Sequence, residues 1–287
     1  MRQGVAAVTM FRGDPFWLQI WLAHYEKLLG DRSKLYVIVH GENQQAESLL
    51  KGVSKISIPF FDADPLFERR RMRFVHSFLA GLLRYYHGVI FTDTDELLCL
   101  HPAAGRDLSE YLLSQDFNTK ALSSIGIELL AQKDDPPLDT SRPILQQRSH
   151  SIISAGYCKP NVMFEPIERA NQHRIPGEPL LLDRNLLLFH LRYVDYERFI
   201  GTAKERQSYA GKLPQSRTKM GVGGWDDAMV DYQRKLRDCM AQDVLAFTPH
   251  NIEPILQRLE AIYHRKGRPG RRSFGHFIIP KELWDLA

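Results

Sequence analysis

The first ninety residues constrain the fold most, because strand-like and helix-like stretches alternate there without a break. Val5 to Phe11 is a short apolar run with strand character. Asp14-Pro15 then pairs a helix N-cap with a first-turn proline, and Trp17, Trp21, Tyr25 and Leu28 recur at helical spacing until Gly30 closes the helix. Leu35 to Val39 is a wholly apolar strand, and Lys55 to Pro59 reads as a third. Pro65 to Tyr86 reads as a long helix whose first half carries Arg69, Arg70, Arg71 and Arg73, and Gly88 to Thr92 is the fourth strand. Strand-helix-strand units of this kind predict an α/β fold with a mainly parallel central sheet flanked by helices.

Beyond residue 100 the pattern is less regular. A helix is expected near Leu108 to Ser114, strands at Lys120 to Ile127, Ser151 to Tyr157 and Asn161 to Phe164, and a strong apolar strand within Leu180 to Leu191. Asp195 to Arg206 suits a helix. The glycine-rich loop Met220-Gly221-Val222-Gly223-Gly224 leads into another from about Trp225 to Met240. With 287 residues, 44% apolar and 25% charged, the chain has the makeup of a globular protein. We expect one domain over 1–287, in three stretches: 1–100, 101–245, and a C-terminal helix with a basic tail over 246–287.

No apolar run approaches the roughly 20 residues that span a bilayer, and Met1 to Phe11 lacks the features of a signal peptide. A cytoplasmic protein is therefore expected. Cys99, Cys158 and Cys239 form no metal-binding or disulfide pattern and should be reduced and mostly buried. His264 to Arg272 packs five Lys or Arg into nine residues. Such a run is ordinarily a solvated loop, with peripheral contact to an anionic membrane surface, at the inner face of the membrane, or to substrate phosphates as the sharper readings. Nucleic acid is not expected as a partner, since no aromatic-interleaved basic stripe accompanies the run.

At the end of the fourth predicted strand stands Asp93-Thr94-Asp95-Glu96, and open α/β sheets bind ligands beyond the carboxyl ends of their parallel strands. Two aspartates at i and i+2 of an extended segment point the same way and can present carboxylates to one hard cation, Mn²⁺ or Mg²⁺. Such an ion neutralises a nucleotide diphosphate. Thr94 between them is a further cofactor-binding candidate, and Glu96 either adds a third ligand or orients the loop. A bare D-x-D is more often a set of turn or cap acids; the strand that precedes this one is what favours the metal.

Together with Val8-Thr9-Met10-Phe11-Arg12, the helix segment Trp17 to Tyr25, Lys159-Pro160-Asn161-Val162 and His190-Leu191-Arg192-Tyr193, the D-x-D-E segment resembles the glycosyltransferase family 2-like group, with coverage from residue 5 to about 206. The chain departs from that group at Gly13-Asp14, where the group has Asn-Glu, and at Leu97, where it has Phe. The resemblance implies a GT-A fold, with 1–100 as the nucleotide-sugar-binding half and 101–245 as the acceptor-side half. It implies transfer of a sugar from a nucleotide-sugar donor, a UDP-sugar first, to a saccharide or lipid-linked acceptor. His190 would complete the metal site with Asp93 and Asp95, since neutral imidazole suits Mn²⁺. His173 is a second candidate, more simply read as a surface-loop histidine.

Thr9, Arg12 and Asp14 are the implied nucleotide contacts, and Asp14 is equally explained as an N-cap. Arg69, Arg70, Arg73 and Lys159 are candidates for the diphosphate, because guanidinium binds phosphate oxygens bidentately. An inverting transfer needs a carboxylate base, for which Asp226, Asp227 and Glu128 are candidates; the first two also suit a helix N-terminus. Tyr157, Tyr193, Tyr196 and Trp225 are candidates for stacking on sugars. Two other readings remain open. A phosphatase of the haloacid dehalogenase type shares the Asp-x-Asp, but Leu97 stands where it needs threonine and three strands come earlier. A non-catalytic saccharide-binding or scaffold protein would keep the fold without turnover.

Overall fold

The computed structural model of the chain describes residues 2–61, 64, 66–114, 119–167, 173, 175, 180–211, 228–267 and 272–287. Its first strand, β1 (Val5–Phe11), is buried at every position. Val5, Ala7 and Phe11 enter one core and Val8 and Met10 another, so β1 is covered on both faces, as an internal parallel strand must be. Helix α1 (Pro15–Leu29) covers the first face with Trp17, Leu18, Trp21, Leu22 and Tyr25. Asp14 caps it by accepting from the Phe16 amide, and Gly30, at φ 64°, ends it in a left-handed turn that a side chain would strain.

Strands β2 (Leu35–His40), β3 (Ser54–Ile58) and β4 (Gly88–Phe91) run parallel to β1 in the order β3-β2-β1-β4. Helix α2 (Phe67–Leu82) covers the second face through Val75, Leu79 and Leu82. This half follows the sequence pattern closely.

The other half is largely antiparallel where a mainly parallel sheet is expected. β6 (Ala121–Leu130) lies between β7 (His150–Ser154) and β8 (Pro160–Met163) and runs antiparallel to both, while β8 joins the parallel half by pairing antiparallel with β4. The sheet as a whole is mixed, because a buried apolar run carries no mark of strand direction.

Strand β5 (Glu96–Leu100) pairs antiparallel with β9 (Leu182–Tyr193), and β9 runs parallel to β6. Sequence periodicity did not reveal β5. Short helices α3 (Leu108–Ser114) and α4 (Ile144–Gln147) fill the connections. Helices α5 (Tyr196–Gly211) and α6 (Ala228–Met240) seat on a small core of Leu130, Ile152, Tyr193, Phe199, Ala203, Tyr232 and Cys239.

At the C-terminal side, β10 (Val244–Ala246) and α7 (Pro249–Lys266) precede β11 (Ser273–Ile278). β11 pairs antiparallel with β7, so part of the stretch expected to be a tail belongs to the sheet. His264, Arg265 and Lys266 close α7, and 268–271 of the basic run lie outside the described residues. All three cysteines are free and buried. No helix among the described residues is long and apolar enough to cross a membrane.

Candidate functional site

The D-x-D-E segment joins β4 to β5 at the carboxyl end of the parallel strands. It is a turn centred on Thr94 and Asp95 rather than extended chain, so the expectation that both aspartates point one way does not hold. Asp93 Oδ1 lies 3.6 Å from Arg71 Nη1 on α2, whereas Asp95 Oδ2 lies 3.5 Å from His190 Nε2 on β9. Glu96 is fully buried and orients the turn: its Oε2 accepts from the Asp93 amide at 3.0 Å, and its Oε1 is 2.5 Å from Lys159 Nζ.

Helix α1 braces both ends of this turn. Trp21 Nε1 donates to Thr92 Oγ1 (2.9 Å), which in turn donates to the Tyr25 hydroxyl (3.1 Å). That hydroxyl also accepts from the Leu98 amide and donates to the Glu96 carbonyl, while His24 Nε2 is 2.9 Å from the Leu98 carbonyl oxygen. Residues 21, 24 and 25 share one helix face at i, i+3 and i+4. The aromatic stripe of α1 is therefore both core and the mount of the acidic turn.

His190 is pinned from three sides. Tyr157 stacks on its ring at 3.8 Å between centroids, Nε2 faces Asp95, and Nδ1 lies 3.4 Å from Glu128 Oε1 on β6. Glu128 is itself held by Lys235 of α6, whose Nζ is 2.7 and 2.6 Å from its two oxygens. Tyr157 and Cys158 approach β6 so closely that a Cβ on Gly126 would lie 2.3 Å from the Tyr157 carbonyl carbon.

The two buried glutamates titrate in opposite directions. Burial raises the pKa of Glu96, and the carboxylates of Asp93 and Asp95 add to that against Lys159. Burial also opposes ionisation of Glu128, but Lys235 on both oxygens and His190 outweigh it and hold the group down to about 2. Burial disfavours charge on His190, yet Asp95 and Glu128 on either side raise its pKa.

The other sequence candidates are scattered. Thr9 is buried mid-strand, its hydroxyl without a hydrogen-bond partner among the described residues. Arg12 lies over the Phe60 ring at 3.6 Å and 3.6 Å from Glu205, and Asp14 pairs with Arg198 as well as capping α1. Arg70 turns to Asp64, and Arg69 and Arg73 are exposed. Thr94 is half-buried at the tip of the turn. Lys159 is buried against Glu96 rather than open to a phosphate. His173 is half-buried rather than a plain surface-loop histidine: its Nδ1 is 2.7 Å from the Gly156 carbonyl oxygen, and its ring meets Tyr157 edge-on at 6.1 Å between centroids. Asp226, Asp227 and Trp225 lie outside the described residues. Tyr193 is core, and Tyr196 is exposed beside Tyr232.

Sequence reasoning passed over Arg71 and Lys235. Arg71 faces the turn, held by Glu68 at 3.0 and 2.8 Å as well as by Asp93. The signal available for it was helix phase: Met72 and Val75 are the buried positions of α2, and Arg71 borders them. Lys235 occupies a buried position of α6 with Tyr232 and Cys239, at i, i+3 and i+7.

Among the described residues no three His, Cys, Asp or Glu side chains form a metal-holding group. The donor set of Asp95 and His190 suits a cation that takes only one or two protein ligands and completes its shell with phosphate and water.

No family model matches this chain, and no curated protein does.

The residues brought together from distant parts of the chain are thus Arg71, Asp93, Asp95, Glu96, Glu128, Tyr157, Lys159, His190 and Lys235.

Proposed function

We propose that this chain is a metal-dependent glycosyltransferase of the GT-A type, moving a sugar from a nucleotide-sugar donor to a saccharide or lipid-linked acceptor. The observation that carries the reading is the pairing of Asp95, in the turn from β4 to β5, with His190 of β9, 3.5 Å apart beyond the carboxyl ends of four parallel strands. A run of parallel strands with an acidic turn at its carboxyl end, and a small antiparallel pair built on that turn, supports the finer assignment.

In this reading Asp95 and His190 hold Mn²⁺ or Mg²⁺, which when bound neutralises the donor's diphosphate. Asp93, tethered to Arg71, keeps that guanidinium beside the turn, where it adds positive charge against the leaving diphosphate. The nucleoside lies over the ends of β1 and β2. There Arg12 covers Phe60, and His40 stacks on Phe67 with ring centroids 5.2 Å apart. The acceptor hydroxyl forms its bond to the anomeric carbon as the bond to the diphosphate oxygen breaks, and a base takes the hydroxyl proton. Asp226 and Asp227 stay the candidates for that base, since both oxygens of Glu128 are already engaged by Lys235.

Thermal melting tests the reading. UDP with Mn²⁺ should raise the melting temperature, and Asp95→Ala should remove the shift. No shift with UDP, GDP or other nucleotides, in either metal, would count against it. Release of free nucleotide from a panel of nucleotide sugars then separates an enzyme from a saccharide-binding scaffold of the same fold.

A further inference from the structure

The mechanism above gives Lys235 no task, yet lysine is rarely buried without one. It occupies a core position on α6, and its ammonium bridges both oxygens of Glu128, 107 residues earlier in the chain. A structural tie between α6 and β6 would need nothing more. Glu128, however, also meets the imidazole that faces Asp95. Its Oε1 lies 3.4 Å from His190 Nδ1, and among the described residues no hydrogen-bond partner reaches that nitrogen. Tyr157, stacked on the ring at 3.8 Å, blocks rotation of the imidazole out of this plane.

An imidazole offers a lone pair from one nitrogen only when the proton resides on the other, and a carboxylate beside one nitrogen decides which. We propose that Lys235 and Glu128 are positioning residues: Lys235 locks the Glu128 carboxylate, and the locked carboxylate keeps the His190 proton on Nδ1, so that Nε2 is presented beside Asp95 to a divalent cation. The inference rests on the metal-site reading above and adds to it the reason His190 acts through Nε2. Lys235 touches neither donor nor acceptor.

Mn²⁺ binding to the full chain without nucleotide, followed by the electron paramagnetic resonance of free Mn²⁺, tests this. Wild type should bind the ion, and Asp95→Ala should abolish binding. Lys235→Met strands a buried carboxylate and risks the fold, so the decisive variant is Glu128→Gln with Lys235→Met, which removes both charges and keeps the shapes. That double variant should melt near wild type yet bind Mn²⁺ about 10- to 100-fold more weakly, the usual cost of losing a carboxylate behind a ligating histidine. Lys235→Arg, which keeps the clamp's charge, should restore most of the affinity.

With Zn²⁺ as a diamagnetic probe, the ¹⁵N shifts of the His190 ring should report one tautomer, protonated on Nδ1, in wild type and a mixture in the double variant. A double variant that binds Mn²⁺ as tightly as wild type overturns the proposal while leaving the metal site standing. If wild type binds no Mn²⁺, or Asp95→Ala binds it normally, the metal-site reading itself falls.

Discussion

Two buried lysine-glutamate pairs sit on either side of His190, and they differ in what surrounds them. Burial resists the negative charge of Glu96, Asp93 and Asp95 nearby add to that, and Lys159 is the cation opposing it. Glu128 has Lys235 on both oxygens and stays ionised. Removing one partner of a buried pair leaves a charge with neither water nor counter-charge and costs about 3–5 kcal/mol. Lys159→Met should therefore destabilise the protein by roughly that amount in urea denaturation, and Glu96→Gln with Lys159→Met should recover most of it. Recovery is expected to be incomplete because Glu96 Oε2 also accepts from the Asp93 amide, the bond that shapes the acidic turn. A single variant as stable as wild type would mean that Lys159 is not the group that makes Glu96 tolerable.

Helix α1 was legible to within a residue, since Asp14, Pro15 and Gly30 mark its ends by local backbone chemistry. Its tertiary task was not. The periodicity of Trp17, Trp21 and Tyr25 says only that one face is buried; that the Trp21 nitrogen and Tyr25 hydroxyl hold Thr92 and Leu98 depends on where β4 and β5 end. Likewise Leu97 to Leu100 reads as an apolar run after an acidic motif, and becomes β5 because β9 is there to pair with it. The Ser123-Ser124-Ile125-Gly126 strand carried a signal of close approach in its glycine. A methyl at Gly126 collides with backbone of Tyr157 and Cys158, which cannot yield as a flexible side chain would. Gly126→Ala should thus cost on the order of 1–3 kcal/mol by overpacking and displace Tyr157 from the His190 ring. A denaturation midpoint equal to wild type, with the His190 ring signals unmoved, would refute this.

Over the whole molecule, half-buried histidines tie stability to pH. Burial lowers the pKa of His24 to about 4, against the support of its bond to the Leu98 carbonyl, and burial with the nearby Lys159 lowers His173 likewise to about 4. In the unfolded chain both titrate near 6.5. Above that pH neither state takes up the proton. As pH falls from about 6.5 to 4 the unfolded chain binds protons that the folded chain refuses, and stability declines, by an amount on the order of 2–3 kcal/mol per histidine. Glu96 and His190, whose pKa values are raised, act in the opposite sense. The contribution of one site is read from a difference: His24→Gln should flatten the loss of melting temperature between pH 6.5 and 4. Parallel pH curves for variant and wild type would show that His24 does not carry it.

From sequence alone came the alternation of the first ninety residues, the ends of α1, the apolar strands and the D-x-D-E segment at a strand end, all set by propensity, capping and periodicity within a few residues of chain. Strand direction beyond β4, the pairing of β5 with β9 and of β11 with β7, and the facing of Arg71 to Asp93 waited on the tertiary structure. So did the line from Lys235 through Glu128 and His190 to Asp95. Several of these contacts join residues more than a hundred positions apart, as Ile278 with His150 and Lys235 with Glu128. Whether a buried charge is tolerated depends on the opposite charge that packing brings to it, and no local pattern records that partner.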